Sequence, residues 1–526
     1  MKHVRCVFVI ESLRQKDGEF CLYLQLKCQV LRPRYIQCIR AKENILETAL
    51  LHIVQTINSY LSNYVLVFLL LGAGIFFTIR THGIQFRRFG EGVARLFGGF
   101  SLNGIKHKDG MSSFQALATA VAAQVGTGNI VGACGAVLVG GPGAIFWMWL
   151  IALLGMATNY AEAVLAQITR VTDKDGVVQG GPARYITYAF HGGLGKFLAG
   201  FFAIAIIMAL GLMGCMVQAN SIAETMHTAF SIPTWMVGLF VMLLCAFVFL
   251  GNLQRLASVT EKIVPIMAII YIIGGIGVLI VNAQNVGPAF ASIFTMAFNP
   301  HAEIGGCAFG LIAAISQGAK RGLFSNEAGM GSTPHAHALA KVEKPHDQGV
   351  VAMIGVFIDT FVVVTITALV VISTLYVGDG ALAQNYAQAV AGGIGKTNMA
   401  QIAFGSLLGE FGGNAFVAIC LFMFAFSTIL GWNLFAKLNV KYLFPNKSKT
   451  AVTAFSVIAL IFIFMGSLAS NDLVWELADL FNQLMVIPNV IGLVALSGLV
   501  AKAAHAPRAK SAVQEAAEAA EAAEDE

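Results

Sequence analysis

The stretch Gln124–Gly135, QVGTGNIVGACG, sets four glycines, with Thr127 and Asn129 between them, inside the apolar run 112–138. That run is long enough to cross a bilayer, yet glycine loosens a helix and lets the chain leave it. In hydrocarbon every backbone polar group needs a partner, so non-helical backbone is tolerated only inside protein or around a cavity. A helix that breaks near Gly126–Asn129 frees carbonyls at the end of its first half and N–H groups at the start of its second. The N–H end attracts a carboxylate, and the carbonyls suit a hard cation such as Na⁺. Close helix packing on small residues would use the same glycines, so the rest of the chain has to decide.

Composition sets the class. The 526 residues are 57% hydrophobic and 12% charged, with a mean hydropathy of +0.74, against roughly 25% charged residues in a soluble domain. Apolar stretches of ~18 residues or more recur, each long enough to span ~30 Å of hydrocarbon. The fold class expected is an all-α polytopic membrane protein embedded in a lipid bilayer, and the net charge of +5 carries no implication of nucleic acid. The nine cysteines include no CxxC, so neither a disulfide framework nor a zinc site is expected.

Hydropathy predicts about eleven transmembrane helices, at 63–79, 112–138, 143–167, 197–223, 233–250, 262–281, 307–335, 350–374, 413–436, 451–468 and 474–500. One set of loops holds Arg80, Arg87, Arg88, Arg95, Lys106 and Lys108, then Arg170, Lys174 and Arg184, then Arg255 and Lys262. It continues with Lys341 and Lys344, then Lys437, Lys441, Lys447 and Lys449, then Lys502, Arg508 and Lys510. The alternating loops are nearly free of basic residues, Lys396 excepted. Basic loops face the cytoplasm, which puts the C-terminus there and the start of the first span outside. The first forty-odd residues, with Lys2, Arg5, Arg14, Lys16, Lys27, Arg32, Arg34, Arg40 and Lys42, fit that side poorly. They lack a signal-peptide pattern, so residues 1–44 are read as mis-annotated upstream sequence, with initiation near Ile45–Val54, or as a disordered tail. Residues 503–526, ending VQEAAEAAEAAEDE, form an acidic Ala/Glu tail without chemistry.

A second interrupted span answers the first. QGAKRGLFSNEAGMGSTPHAHA, Gln317–Ala338, follows an apolar run, Cys307–Ile315, too short to cross alone, and carries Lys320, Arg321 and Glu327. Such charges are costly at membrane depth unless paired or facing water; a surface loop would also hold the basic pair. His335 and His337 stand two apart and do not share a helix face, so a metal role is not expected. With the first span set aside, the two interrupted spans head two successive groups of five, and an odd number of spans inverts the second group. Paired interruptions at corresponding positions are the best sequence pointer to a secondary transporter's binding site. The boundaries expected are 45–110 for the extra helix and a basic cytoplasmic loop, 111–285 for the first five-helix repeat and 286–502 for the second.

Three motifs, VGTGNIVG, GPGAIFWMWLIALLGMATNYAEA and GLFSNEAGMGSTPHAHA, resemble the alanine/glycine:cation symporter family. The resemblance runs from about Leu51 to Lys502 and implies a leucine-transporter-type fold, with Na⁺ as coupling ion, no cofactor and a small neutral amino acid as substrate. It implies a bacterial inner-membrane location. It places the substrate carboxylate at Thr127, Gly128 and Asn129 and the amino group near Phe324, Ser325 and Asn326. Gln218 is implied to turn its amide to the same centre, or to make an interhelical hydrogen bond. Trp432 is implied to be a lid, or an interfacial aromatic. Na⁺ is implied between the hydroxyls of Ser427 and Thr428 and the carbonyls of Ala123, Gln124 and Gly126; bonds back to their own helix are the alternative for those hydroxyls. Three acids, Glu162, Asp359 and Asp479, fall in apolar runs; Glu327 and Asp359 are candidates for coupling or gating, and Glu162 for a structural pairing.

The mechanism expected is alternating access, with Na⁺ binding first and the amino acid then lying across both breaks. Glutamine or D-alanine as substrate, and a proton in place of Na⁺, stay open, as does the oligomeric state. A membrane enzyme would need nucleophile–base pairs or spacing such as HExxH, and a channel would need a repeated filter; neither pattern occurs in the sequence.

Overall fold

The structure, a computed structural model, describes residues 49–98, 111–173, 176, 178–249, 253–299, 302–304 and 307–505. The 1–44 extension, Lys106, Lys108, Lys174 and the acidic tail beyond 505 lie outside the described residues. By packing the chain divides at Val54/Gln55, and the architecture below is that of the unit starting at Gln55.

Helix α1, which in this unit includes Leu61–Leu66 and Val67–Arg80, is followed by the amphipathic α2 (Phe89–Gly98). The first interrupted span consists of α3 (Ser113–Gln124) and α4 (Gly128–Gly140), bent by 48° at the break. Ser112 opens α3 with a reciprocal cap: its hydroxyl accepts from Gln115 N at 3.1 Å, and the Gln115 side chain accepts from Ser112 N at 3.1 Å, satisfying two of the free N–H groups of the first turn. At the other end Val125, with φ −78° and ψ 87°, leaves the helix. The chain continues through α5 (Gly143–Ile168), a short hairpin of β1 (Val171–Thr172) and β2 (Val178–Gln179), and α6 (Pro182–Ala189). Next come α7 (Gly192–Phe230), α8 (Thr234–Phe249), α9 (Leu253–Val281) and α10 (Ala283–Phe298).

The second interrupted span differs from its sequence expectation. Ala302–Ile304 (β3) and Cys307–Phe309 (β4) pair as an antiparallel hairpin, and α11 runs only from Leu311 to Asn326. Glu327 then takes a left-handed conformation, φ 57°, which stops a helix at a non-glycine residue at some cost. Past a turn come α12 (Pro345–Tyr376), α13 (Met399–Leu443, bent where Gly409 has φ 73°), α14 (Ser448–Gly466), α15 (Asn471–Ala495) and α16 (Ser497–Ala504).

Among the described residues eight helices are long and apolar enough to cross a membrane, and the bent α3–α4 pair makes a ninth. The other two expected spans are taken by α8 and α11, each 16 residues, short of the ~20 that cross unaided. The broken helices lie at the centre. α3 packs on α9 and α13, α4 on α11 and α5, and α7 and α15 complete the wall. Residues 116–137 and 318–340 are buried throughout.

Candidate functional site

The two breaks meet. Gln124, the last residue of α3, donates its side-chain amide to the carbonyl of Asn326, the last of α11, at 2.6 Å. Gly128 comes so close to α11 that a Cβ there would stand 2.9 Å from the Cα of Ser325. Within the first break Gly126 N donates to Asn129 Oδ1 at 2.9 Å, which replaces a lost helical bond with a side chain. Gln218, on α7, accepts from Thr127 N at 3.1 Å. Thr127, Gly128, Asn129, Gln218, Ser325 and Asn326 are therefore one buried cluster drawn from three helices.

Asp359 of α12 ties the breaks together. Its Oδ1 accepts from Asn129 Nδ2 at 2.5 Å, and the Ser325 hydroxyl reaches its Oδ1 at 3.1 Å and its Oδ2 at 2.9 Å. Thr360 donates to the same carboxylate at 2.9 Å and accepts from Asn326 Nδ2 at 3.1 Å. Thr360 was not singled out from sequence; its place directly after Asp359 was the available signal. Three polar atoms in this region have no protein partner: Thr127 Oγ1, Gln218 Nε2 and Gln124 Oε1. Buried polar atoms without partners are few in folded proteins. Here they offer a hydroxyl, an amide donor and an amide acceptor, the complement of a zwitterion's carboxylate and ammonium.

Ser427 and Thr428 sit on α13 against the end of α3. Thr428 Oγ1 lies 2.9 Å from the carbonyl of Ala122 and 3.4 Å from that of Val125; Ser427 Oγ lies 3.4 Å from Ala122 O. Both also reach back to Phe424 O, at 2.9 Å for Ser427 and 3.1 Å for Thr428. The carbonyls these hydroxyls meet are thus Ala122 and Val125, whereas sequence pointed to Ala123, Gln124 and Gly126. The departure of Val125 from helical backbone turns its carbonyl to α13. Four uncharged oxygens converge here, the donor type a hard monovalent cation takes. Gly126 and Gly431 permit the contact: a Cβ at Gly126 would lie 2.4 Å from Thr428 Oγ1, and one at Gly431 would lie 2.9 Å from Ala123 Cβ.

Phe324 and Trp432 form an aromatic corner, ring centroids 5.6 Å apart and nearly perpendicular, and Phe324 also lies 4.8 Å from Trp475. The Trp432 indole N–H donates to Glu327 Oε1 at 2.5 Å, and Ser332 donates to the other oxygen. Glu327 is thus joined to the corner rather than to Asp359. Lys320 and Arg321 are buried on α11, not in a loop, and are paired: Lys320 Nζ lies 2.8 Å from Asp479, and Arg321 3.2 Å from the same carboxylate. Lys320 also pairs with Glu476 at 3.4 Å, and Arg321 stacks over Trp475 at 4.6 Å. Sequence flagged Asp479 only as a buried acid, and Trp475 and Glu476 not at all, since pairing across 150 residues leaves no local pattern. His335 bonds Ser332 O and Asn439, and His337 bonds Gln348. No metal-ligand cluster of His, Cys, Asp and Glu occurs among the described residues.

This geometry has relatives. The profile of the sodium:alanine symporter family matches residues 47–520. The sodium/alanine symporter AgcS of Methanococcus maripaludis is 40% identical over 455 residues, covering 85% of this chain and 95% of that protein. The amino-acid carrier protein AlsT of Bacillus subtilis is 37% identical over 442 residues, covering 83% and 88%. From the same organism, the "Probable sodium/glutamine symporter GlnT" is 36% identical over 453 residues, covering 86% and 89%. Among solved structures, MhsT in complex with L-phenylalanine aligns with a TM-score of 0.51 at 14% identity, covering 76% of this chain and 100% of that one. At that identity the likeness is one of fold, the leucine-transporter type. A profile match over most of the length, together with relatives near 40% identity, makes this membrane transporter a member of the sodium:alanine symporter family.

Proposed function

We propose that the protein is a secondary active symporter that couples Na⁺ entry to uptake of a small neutral amino acid, alanine or glycine, by alternating access. The observation that carries this reading is the meeting of two interrupted helices at a buried cluster with three unpartnered polar atoms. The substrate carboxylate is assigned to Thr127, Gly128 and Asn129, beside the Gln218 amide. The ammonium is assigned to the α11 break at Phe324, Ser325 and Asn326. The perpendicular rings of Phe324 and Trp432, with Gly128 against Phe324, are assigned to restrict the substrate to a small side chain.

Na⁺ is assigned to the oxygens of Ser427, Thr428, Ala122 and Val125. Coupling then has a short route. A cation there draws the end of α3 to α13 and fixes Gly126 and Thr127, on which the carboxylate site is built. Ion and amino acid favour the same closed arrangement, and each raises the affinity of the other. Asp359 links the two breaks in that arrangement, and Glu327 joins the second to Trp432. In this reading residues 111–285 and 286–502 are inverted repeats after the extra helix of 45–110. The C-terminal residues 503–526 are cytoplasmic, and the membrane is the bacterial inner membrane.

Uptake of radiolabelled L-alanine into proteoliposomes, with inward Na⁺, K⁺ or H⁺ gradients imposed separately, tests the reading. Accumulation driven by Na⁺, and lost in Thr127→Val and in Ser427→Ala with Thr428→Val, is the expected result. Uptake driven only by H⁺ would replace the ion. Uptake of glutamine or D-alanine in place of L-alanine would replace the substrate.

A further inference from the structure

The turn after the second break is built around a carboxylate that takes no part in the assignments above. Residues 327–333, EAGMGST, connect α11 to the short helix Pro334–His337. Glu327, Gly329 and Gly331 have φ of 57°, 87° and 83°. Left-handed residues in alternation turn N–H groups to one side, the concavity with which backbone holds anions. The anion filling it is Glu162 of α5, whose Oε2 accepts from Gly329 N at 3.2 Å and Oε1 from Gly331 N at 2.9 Å. Asn489 of α15 closes the clamp: its Nδ2 donates to Glu162 Oε1 at 2.7 Å and to the Gly329 carbonyl at 2.9 Å. Tyr185 holds Asn489 in turn by donating to its Oδ1.

Glu162 and Asn489 are fully buried. The Glu162 bonds all come from N–H donors, the pattern of an acceptor-only carboxylate. A Cβ at Gly331 would stand 2.8 Å from the Asn489 side chain, so the glycine and the clamp fit one another. α15 also grips α11 on the other side of the break, through Asp479 and Arg321. From Asp479 to Asn489 is about 15 Å along a helix, so one helix holds the second break from both sides.

We propose that Glu162 is a positioning residue for transport. Through Gly329 and Gly331 it fixes the turn that keeps Ser325 and Asn326 facing the first break, and so sets the affinity for the amino acid. The inference rests on the reading that the second break faces the substrate.

Glu162→Gln places an amide NH₂ against one of the two N–H groups, and Asn489→Ala removes the other side of the clamp. In proteoliposomes each is expected to raise the KM for L-alanine tenfold or more, while the half-saturating Na⁺ at saturating alanine stays within twofold. Hydrogen exchange of the peptide 324–334 should quicken at least tenfold, with 120–130 unchanged. A lower Vmax at unchanged KM is what loss of folded protein gives, and it would overturn the assignment. So would unchanged exchange at 324–334, or an equal shift in Na⁺ half-saturation. Should Glu162→Gln not fold, Asn489→Ala carries the test. Wild-type protein that takes up no L-alanine would remove the proposed substrate, and the exchange measurement, which needs none, would still decide the role of Glu162.

Discussion

At Gly126 a single hydrogen atom decides whether two helices touch. Any larger side chain would drive a Cβ to 2.4 Å from Thr428 Oγ1 and 3.2 Å from Gln218 Oε1. Both are polar atoms on buried helices with little freedom to retreat. Gly126→Ala should therefore push α3 away from α13 and raise the Na⁺ concentration for half-maximal uptake at least tenfold. The protein should still elute as a monodisperse peak. A half-saturation within twofold of wild type would separate the cation from this contact. The sequence showed that Gly126 allows a break. It did not show which carbonyls the break would release, because that depends on ψ at Val125 (87°), a value no residue-type pattern encodes. Thr127 stood out as a polar residue between glycines in an apolar run, whereas Gln218 was named only through the family resemblance.

At the level of elements, α11 is the helix that sequence placed least well. It begins four residues after the expected start and ends nine before the expected end, because a hairpin precedes it and a left-handed Glu327 stops it. Hydropathy averages over windows longer than either feature, whereas α5 and α9 are continuous, and the expected span 413–436 covers only the part of α13 that follows its bend at Gly409. The charge pairs explain why α11 is stable where it sits. Removing one partner of a buried pair costs about 3–5 kcal/mol, since a charge is left uncompensated, while replacing both partners by apolar residues is often neutral. Asp479→Ala should lower the thermal midpoint of the detergent-solubilised protein sharply. Arg321→Leu combined with Asp479→Leu should recover much of the loss, because Lys320 retains Glu476 at 3.4 Å. A double variant as unstable as the single one would show that the pair contributes more than mutual neutralisation.

For the whole molecule, helical class and broken centre followed from composition and glycine placement, while the packing of α7, α13 and α15 around the breaks came only from the structure. Entry of Na⁺ together with a zwitterion, as proposed, has an electrical consequence. Each turnover carries net positive charge inward, and an inside-negative potential of 100 mV contributes about 2.3 kcal/mol per charge. With equal Na⁺ on both sides, a K⁺ diffusion potential should thus drive L-alanine accumulation, up to roughly 50-fold at that voltage for one net charge. No accumulation under potential alone would mean that a compensating ion leaves on each cycle.

The pairing of Arg321 with Asp479 spans 158 positions of sequence, and that separation bears on how the chain is made. α11 carries two cations and is only 16 residues long, so when it leaves the ribosome it has neither the length nor the apolarity to settle in lipid by itself. Its counter-charges, Glu476 and Asp479, are translated later, on α15. During biogenesis α11 must therefore wait, in the insertion machinery or at the bilayer surface, until α15 arrives, and its seating becomes a late event of assembly.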